Sequence, residues 1–171
     1  MTRLATTVLA ALLAGGSVAA LSVAEPKATA IAGNADVVDG DTILVGTTRV
    51  RLFGIDAPEA LQTCTGAPAS KTSDDCGLKA ALFLVDMIDR DPMVSCRVKA
   101  TDRYGRTVAV CGTSKFTDLG AMMVLHGWAV DVPRYSGGAY HDQEAAAKAE
   151  RLGIWSGTFV PPSEWRKAHR N

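Results

Sequence analysis

Between Asp39 and Glu59 the chain gathers oxygen donors around one guanidinium: Asp39-Gly40-Asp41, then Arg51, then Asp56-Ala57-Pro58-Glu59. Carboxylates bind hard divalent cations, and an arginine fork grips phosphate oxygens while staying charged at any working pH. Asp41, Asp56 and Glu59 beside Arg51 therefore suit a metal ion next to a phosphate, the chemistry of a metal-dependent phosphodiesterase. A second segment, Asp102-Arg103-Tyr104-Gly105-Arg106, brings another arginine on another turn. Two forks flanking one phosphate would stabilise the extra charge of a five-coordinate transition state. Singly, each residue is ordinary: Asp41 suits a turn, Asp56 a loop cap, and surface arginines commonly pair with nearby acids. Arg49 and Arg103 are read in that ordinary way. The site reading rests on the set.

These residues need elements that hold them. From Asn34 to Asp56 the pattern is β: Val37, Val38, Ile43 and Val45 flank Asp39-Gly40-Asp41, and Asp-Gly is a favoured hairpin dipeptide. Gly46-Thr47-Thr48 makes the next reversal, and alternation puts Arg49 and Arg51 on one face and Val50 and Leu52 on the other. A helix is expected over Gly77 to Arg90, with Leu78, Ala81, Leu82, Val85 and Ile88 on one stripe and Pro92 beyond its end. Strands follow over roughly Met93–Ala100 and Thr107–Cys111, meeting at Tyr104-Gly105. A second helix carries Leu119, Met122, Met123 and His126 and stops at Gly127. A third runs from about His141 to Leu152 and stops at Gly153. The tail from Pro161 to Lys167 reads as ordered, because Trp155, Phe159 and Trp165 need apolar partners. Five short strands with three helices predict an α+β fold, mainly β barrel, of the five-stranded OB type. A fully parallel α/β sheet is disfavoured, because the strands come in hairpins without helical crossovers.

The chain has 171 residues, 47% of them hydrophobic, enough for one core. Its 18 basic residues balance 18 acidic ones, which counts against tight, sequence-independent duplex binding. After Arg3 no charge appears until Glu25, and small residues near Ser22-Val23-Ala24 predict a secretory signal over 1–24. Ala30-Ile31-Ala32 is a second candidate cleavage site, as late as 32, and an uncleaved membrane anchor is the competing reading. A domain over 33–160 and a C-terminal extension over 161–171 complete the organisation. Either reading of the leader exports the rest, to the periplasm or beyond. The four cysteines agree with export. They allow three pairings, of which Cys64–Cys76 with Cys96–Cys111 is the most local. Zinc is disfavoured, for want of a C-x-x-C or a cysteine-histidine cluster. His126, His141 and His169 are scattered, and there is neither a nucleophile elbow nor a phosphate-cradling glycine loop.

Four motifs in order carry a resemblance: Asp39-Gly40-Asp41-Thr42, Arg51-Leu52-Phe53-Gly54-Ile55-Asp56-Ala57-Pro58-Glu59, Asp102-Arg103-Tyr104-Gly105-Arg106 and Gly153-Ile154-Trp155. From about Asn34 to Ser156 the chain resembles the thermonuclease (staphylococcal-nuclease-like) family, in its secreted bacterial form with two disulfides. The resemblance implies an OB-fold, calcium dependence, and hydrolysis of DNA and RNA, single strands preferred, leaving 3′-phosphates. It implies that Asp41, Asp56 and the carbonyl of Ala57 hold Ca²⁺, with Asp39 orienting the water-rich side. Arg51 and Arg106 match the family's phosphate-gripping pair, and Glu59 the residue that orients or deprotonates the attacking water. Tyr104 matches a tyrosine that contacts the nucleotide. The family's second tyrosine falls near Pro133, where Tyr135 would substitute after a small loop shift. Ala57 stands where a small hydroxyl residue is familiar, and the Cys64–Cys76 segment replaces a basic surface loop. Nucleic acid is the implied partner of a monomer with no stable protein partner. The alternative is a catalytically weak or inactive OB-fold binding module of the cell envelope, because some similar members sit in exopolysaccharide pathways.

Overall fold

The structure, a computed structural model, describes residues 30–65 and 75–169. The expected signal over 1–24 lies outside the described residues. β1 (Ala30–Asp39) organises the barrel, because its two halves pair with different neighbours. Ala30 to Asn34 run antiparallel to β5 (Met93–Thr101), with Ala30 opposite Arg97 and Asn34 opposite Met93. Ala35 to Asp39 run antiparallel to β2 (Thr42–Val45), and a bulge between Val37 and Asp39 bends the strand there. β2 forms a hairpin with β3 (Thr48–Leu52), and β5 another with β6 (Thr107–Gly112). A parallel pairing of β3 with β6, Arg51 opposite Val108, closes the barrel in the order β1-β2-β3-β6-β5. This is the expected five-stranded OB-type barrel with helices around it.

The three helices read from periodicity are α1 (Cys76–Asp89), α2 (Leu119–Leu125) and α4 (His141–Ala149). α1 starts on the carboxylate of Asp75, which accepts from the Leu78 N–H at 2.9 Å. The structure adds elements that the sequence reading did not resolve. These are a small sheet of β4 (Ile55–Asp56) with β7 (Val130–Asp131), the single turn α3 (Pro133–Ser136), a 3₁₀ turn at Gly153–Ser156, and α5 (Pro162–Ala168). The two-residue strands and single turns are too short to display a hydrophobic period, and α5 follows Pro161-Pro162 without an apolar stripe of its own.

Ile43, Val50, Leu52, Val94 and Ala109 fill the barrel, and Leu84, Leu119, Met123 and Val124 from the helices seal it. Each fully buried aliphatic side chain contributes roughly 1.5–3 kcal/mol. Cys96 and Cys111 are opposite each other in the β5–β6 register and form one disulfide, and Cys64–Cys76 is the other. Cys64 and Cys76 join Ile154 in a second small cluster flanked by Trp128, Trp155 and Phe159. That cluster fixes the start of α1 to the 3₁₀ turn at Gly153–Ser156.

Candidate active site

The turn between β1 and β2 delivers Asp41 into the protein rather than to solvent. A Cβ on Gly40 would lie 2.8 Å from the Cβ of Ala57 and 2.9 Å from that of Ala80, so only glycine lets the turn pass between β4 and α1. Asp41 is 4% exposed. Its Oδ2 accepts from the Ala57 N–H at 3.1 Å, while Oδ1 accepts from Thr42 Oγ1 at 3.1 Å and from Arg51 Nη1. Arg51, projecting from β3, then donates through Nη2 to Asp56 Oδ1 at 2.9 Å and to the Ile55 carbonyl at 3.3 Å. One guanidinium thus bridges Asp41 and Asp56, the two acids singled out from sequence. Asp39 sits at the edge, its Oδ1 accepting from the Asp41 N–H at 3.1 Å.

Glu59 is positioned by its backbone. A Cβ on Gly77 would come within 1.8 Å of the Glu59 carbonyl oxygen, so the first turn of α1 lies directly on the Glu59 segment. Gln62, fully buried, accepts from the Glu59 N–H at 3.2 Å and donates through Nε2 to the Val160 carbonyl at 2.6 Å. Thr65 and Thr158 exchange backbone hydrogen bonds at 2.9 and 2.7 Å. These contacts strap the C-terminal arm along the loop that carries Glu59. At the end of the arm, Arg166 on α5 forks onto Asp56, Nη1 to Oδ1 and Nη2 to Oδ2, both at 2.9 Å, and Nη1 also reaches Glu59 Oε1. Arg166 and Gln62 were absent from the sequence reading. The only signal for either was the aromatic spacing that marked the tail as ordered.

The electrostatics are out of balance. Asp39, Asp41, Asp56 and Glu59 are gathered around Arg51 and Arg166, an excess of carboxylates over guanidiniums. Burial raises the pKa of Asp41 to about 7 despite Arg51 and the Ala57 N–H, and the nearby Asp39 and Asp56 add to the rise. Burial also opposes the charge of Arg51, yet Asp41 and Asp56 more than offset it and hold the group above its ordinary value. Arg166 is likewise held charged by Asp56 and Glu59 against its desolvation. Among the described residues no three His, Cys, Asp or Glu side chains converge as a ready metal cage. The fit to a hard dication therefore rests on chemistry. Asp41 and Asp56 supply oxygen only, are nearly fully buried, and belong to a cluster in which four carboxylates face two guanidiniums.

Arg106 stands apart from that cluster. Its Nε donates to Asp102 Oδ2 at 2.7 Å, and Asp102 Oδ1 accepts from the Tyr104 and Arg106 N–H groups at 2.9 Å, so the turn is built on Asp102. These bonds hold Asp102 below the usual carboxylate range, against the effect of its desolvation. The Nη groups of Arg106 have no protein partner among the described residues. Arg106 precedes Thr107, which pairs with Val50, so it lies at the end of β6 adjoining the strand of Arg51. Arg103 and Arg106 lie 4.8 and 5.5 Å from the Tyr104 ring centroid, and Tyr104 is largely exposed. Among the described residues neither Arg49 nor Arg103 pairs with an acid, and Arg103 covers Tyr104. Tyr135 is exposed on α3, which docks beside β4 through the Val132 N–H to the Gly54 carbonyl at 2.9 Å. Arg134 covers its ring at 5.5 Å.

A profile described as staphylococcal nuclease homologue matches residues 49–157. The chain belongs to that family. Its similarity extends to named members. Over 154 residues, 90% of this chain and 76% of the relative, it is 35% identical to the succinoglycan biosynthesis protein ExoI of Rhizobium meliloti (strain 1021). It is 34% identical to the micrococcal nuclease of Shigella flexneri over 183 residues, covering 95% of this chain and 96% of the relative. It is 33% identical to the probable endonuclease LCL3 of Colletotrichum graminicola over 139 residues, covering 73% of this chain and 48% of the relative. The family match spans Arg51, Asp56, Glu59 and Arg106, while Asp39 and Asp41 precede it and Arg166 lies beyond it.

Proposed function

We propose that the protein is an exported, calcium-dependent nuclease that hydrolyses phosphodiester bonds of DNA and RNA, prefers single strands and leaves 3′-phosphates. The observation that carries this reading is the pair of buried carboxylates, Asp41 and Asp56, gathered with Asp39 and Glu59 so that carboxylates outnumber the guanidiniums of Arg51 and Arg166. The names of the micrococcal nuclease and the endonuclease among the relatives support it. A calcium ion held by Asp41, Asp56 and the Ala57 carbonyl would supply Lewis-acid polarisation of the scissile phosphate. Asp39 steadies Asp41 from behind. Glu59 orients the attacking water or takes its proton. Arg51 and the free Nη face of Arg106 neutralise the five-coordinate phosphorus, Arg106 nearest the departing 5′-oxygen. The P–O5′ bond breaks and the phosphate stays on the 3′ side. Tyr104 and Tyr135, both exposed, are surfaces for the nucleotide.

Export is supported by the two disulfides, which belong to an oxidising compartment. Cleavage of the leader near Ala24 leaves β1 whole, whereas cleavage after Ala32 removes residues paired with β5. The domain then runs from β1 through the 3₁₀ turn, with the C-terminal arm docked on it.

The test is hydrolysis of denatured DNA by the purified protein, with calcium and then with chelator, beside Glu59→Ala and Arg106→Ala. Calcium-dependent cleavage is expected, with each variant slowed by roughly 10²–10⁴-fold and its circular dichroism unchanged. Wild-type rates in either variant would refute these roles. The succinoglycan biosynthesis relative and the neutral charge favour a second reading, a cell-envelope binding module with little turnover. Calcium binding by a folded protein that leaves denatured DNA intact would select it.

A further inference from the structure

Arg166 occupies the oxygens that the proposed chemistry needs. Its fork takes both oxygens of Asp56, and the same guanidinium reaches Glu59. Arg51 already holds Asp56 Oδ1 from the other side. A divalent cation sharing Asp56 must therefore meet a guanidinium already on that carboxylate, and like charges at that separation repel.

We propose that Arg166 is a built-in competitor for the divalent cation, carried on an arm that loosens when the cation binds. This rests on the calcium reading given above. The construction of the arm suits the role. Up to Pro162 it is fixed: Thr158 pairs with Thr65, Gln62 holds the Val160 carbonyl, and Pro162 is buried. Beyond Pro162 no residue of α5 is fully buried, Trp165 and Arg166 being half-buried, and among the described residues the Arg166 ion pairs are its polar tie to the rest of the protein. α5 can therefore turn about Pro162 without disturbing the barrel. With the cation absent, Arg166 offsets the mutual repulsion of Asp56 and Glu59 and holds both carboxylates in place. With the cation present, its positive charge is redundant and the fork opens. The linkage runs in both directions, so removing the competitor must tighten cation binding.

The experiment is calorimetric titration of calcium into wild type, Arg166→Ala and Arg166→Lys, together with hydrogen exchange of α5 in the wild type with and without calcium. Arg166→Ala is expected to bind calcium roughly tenfold or more tightly. Arg166→Lys, which keeps the charge and loses the fork, should fall between. In the wild type, calcium should speed exchange of the α5 amides and leave those of α1 unchanged. Equal or weaker binding in Arg166→Ala, or α5 exchange indifferent to calcium, would overturn the competitor. Absence of calcium binding in wild type and variant alike would overturn the calcium reading with it, a result distinguishable from equal binding in both.

Discussion

Asp41 shows what a buried carboxylate costs its fold. Placed in solvent it would ionise near its ordinary value; placed here, burial and two neighbouring acids push it up to about 7. A neutral isostere should therefore suit the metal-free protein better than the native residue. Asp41→Asn is expected to unfold, in chelator at pH 8, with a free energy about 1 kcal/mol higher than wild type, and to lose calcium binding. Thermal melts with and without calcium check both halves; a less stable variant would mean that the Arg51 contact outweighs the burial. The local part of this site was readable from the chain. Asp41, Arg51 and Asp56 lie on one hairpin and its extension, where turn chemistry and alternation specify neighbours. Arg166 was not readable, because nothing local ties a helix at the far end of the chain to Asp56. Only the folded path past Thr65 and Gln62 does so.

Glu59 depends on elements more than on its own contacts. The loop after β4 is pressed against the first turn of α1 at Gly77, held at Gln62 and tied by Cys64–Cys76. Gly77→Ala must move either the helix or the Glu59 backbone. A loss of about 2–3 kcal/mol is expected in denaturant unfolding, with turnover falling further than stability alone explains because Glu59 shifts. If turnover stays at the wild-type level in the folded variant, the glycine contact serves packing only. The long elements were readable because their periods repeat: α1, α2 and α4 appear where their apolar stripes put them, and β5–β6 meets at the Tyr104-Gly105 turn. β4, β7 and α3 were not, because two to four residues carry no period, and the tertiary pairing of Ile55 with Asp131 creates them.

The molecule as a whole carries no net charge, with 18 residues of each sign, so attraction to a polyanion must come from the site itself. With Arg51 and Arg106 as the phosphate contacts, the logarithm of single-strand affinity should fall with the logarithm of salt at a slope of about −1.4. Binding to a labelled, non-cleavable oligonucleotide across a salt series measures it. A slope several times steeper would reveal a basic surface beyond these two residues. Another consequence lies in how the barrel closes. Antiparallel hairpins can form as soon as their second strand exists, but β3 meets β6 in a parallel pair only after β4, α1 and β5 are made. Pairings so distant in the chain form late and slowly. Arg51 on β3 and Arg106 at the start of β6 thus become neighbours only when the barrel shuts; under the proposed export, a chain threaded unfolded across a membrane would pass through without the proposed centre assembled. On the proposed reading, the order in which the strands find each other would spare the nucleic acid on the side of synthesis.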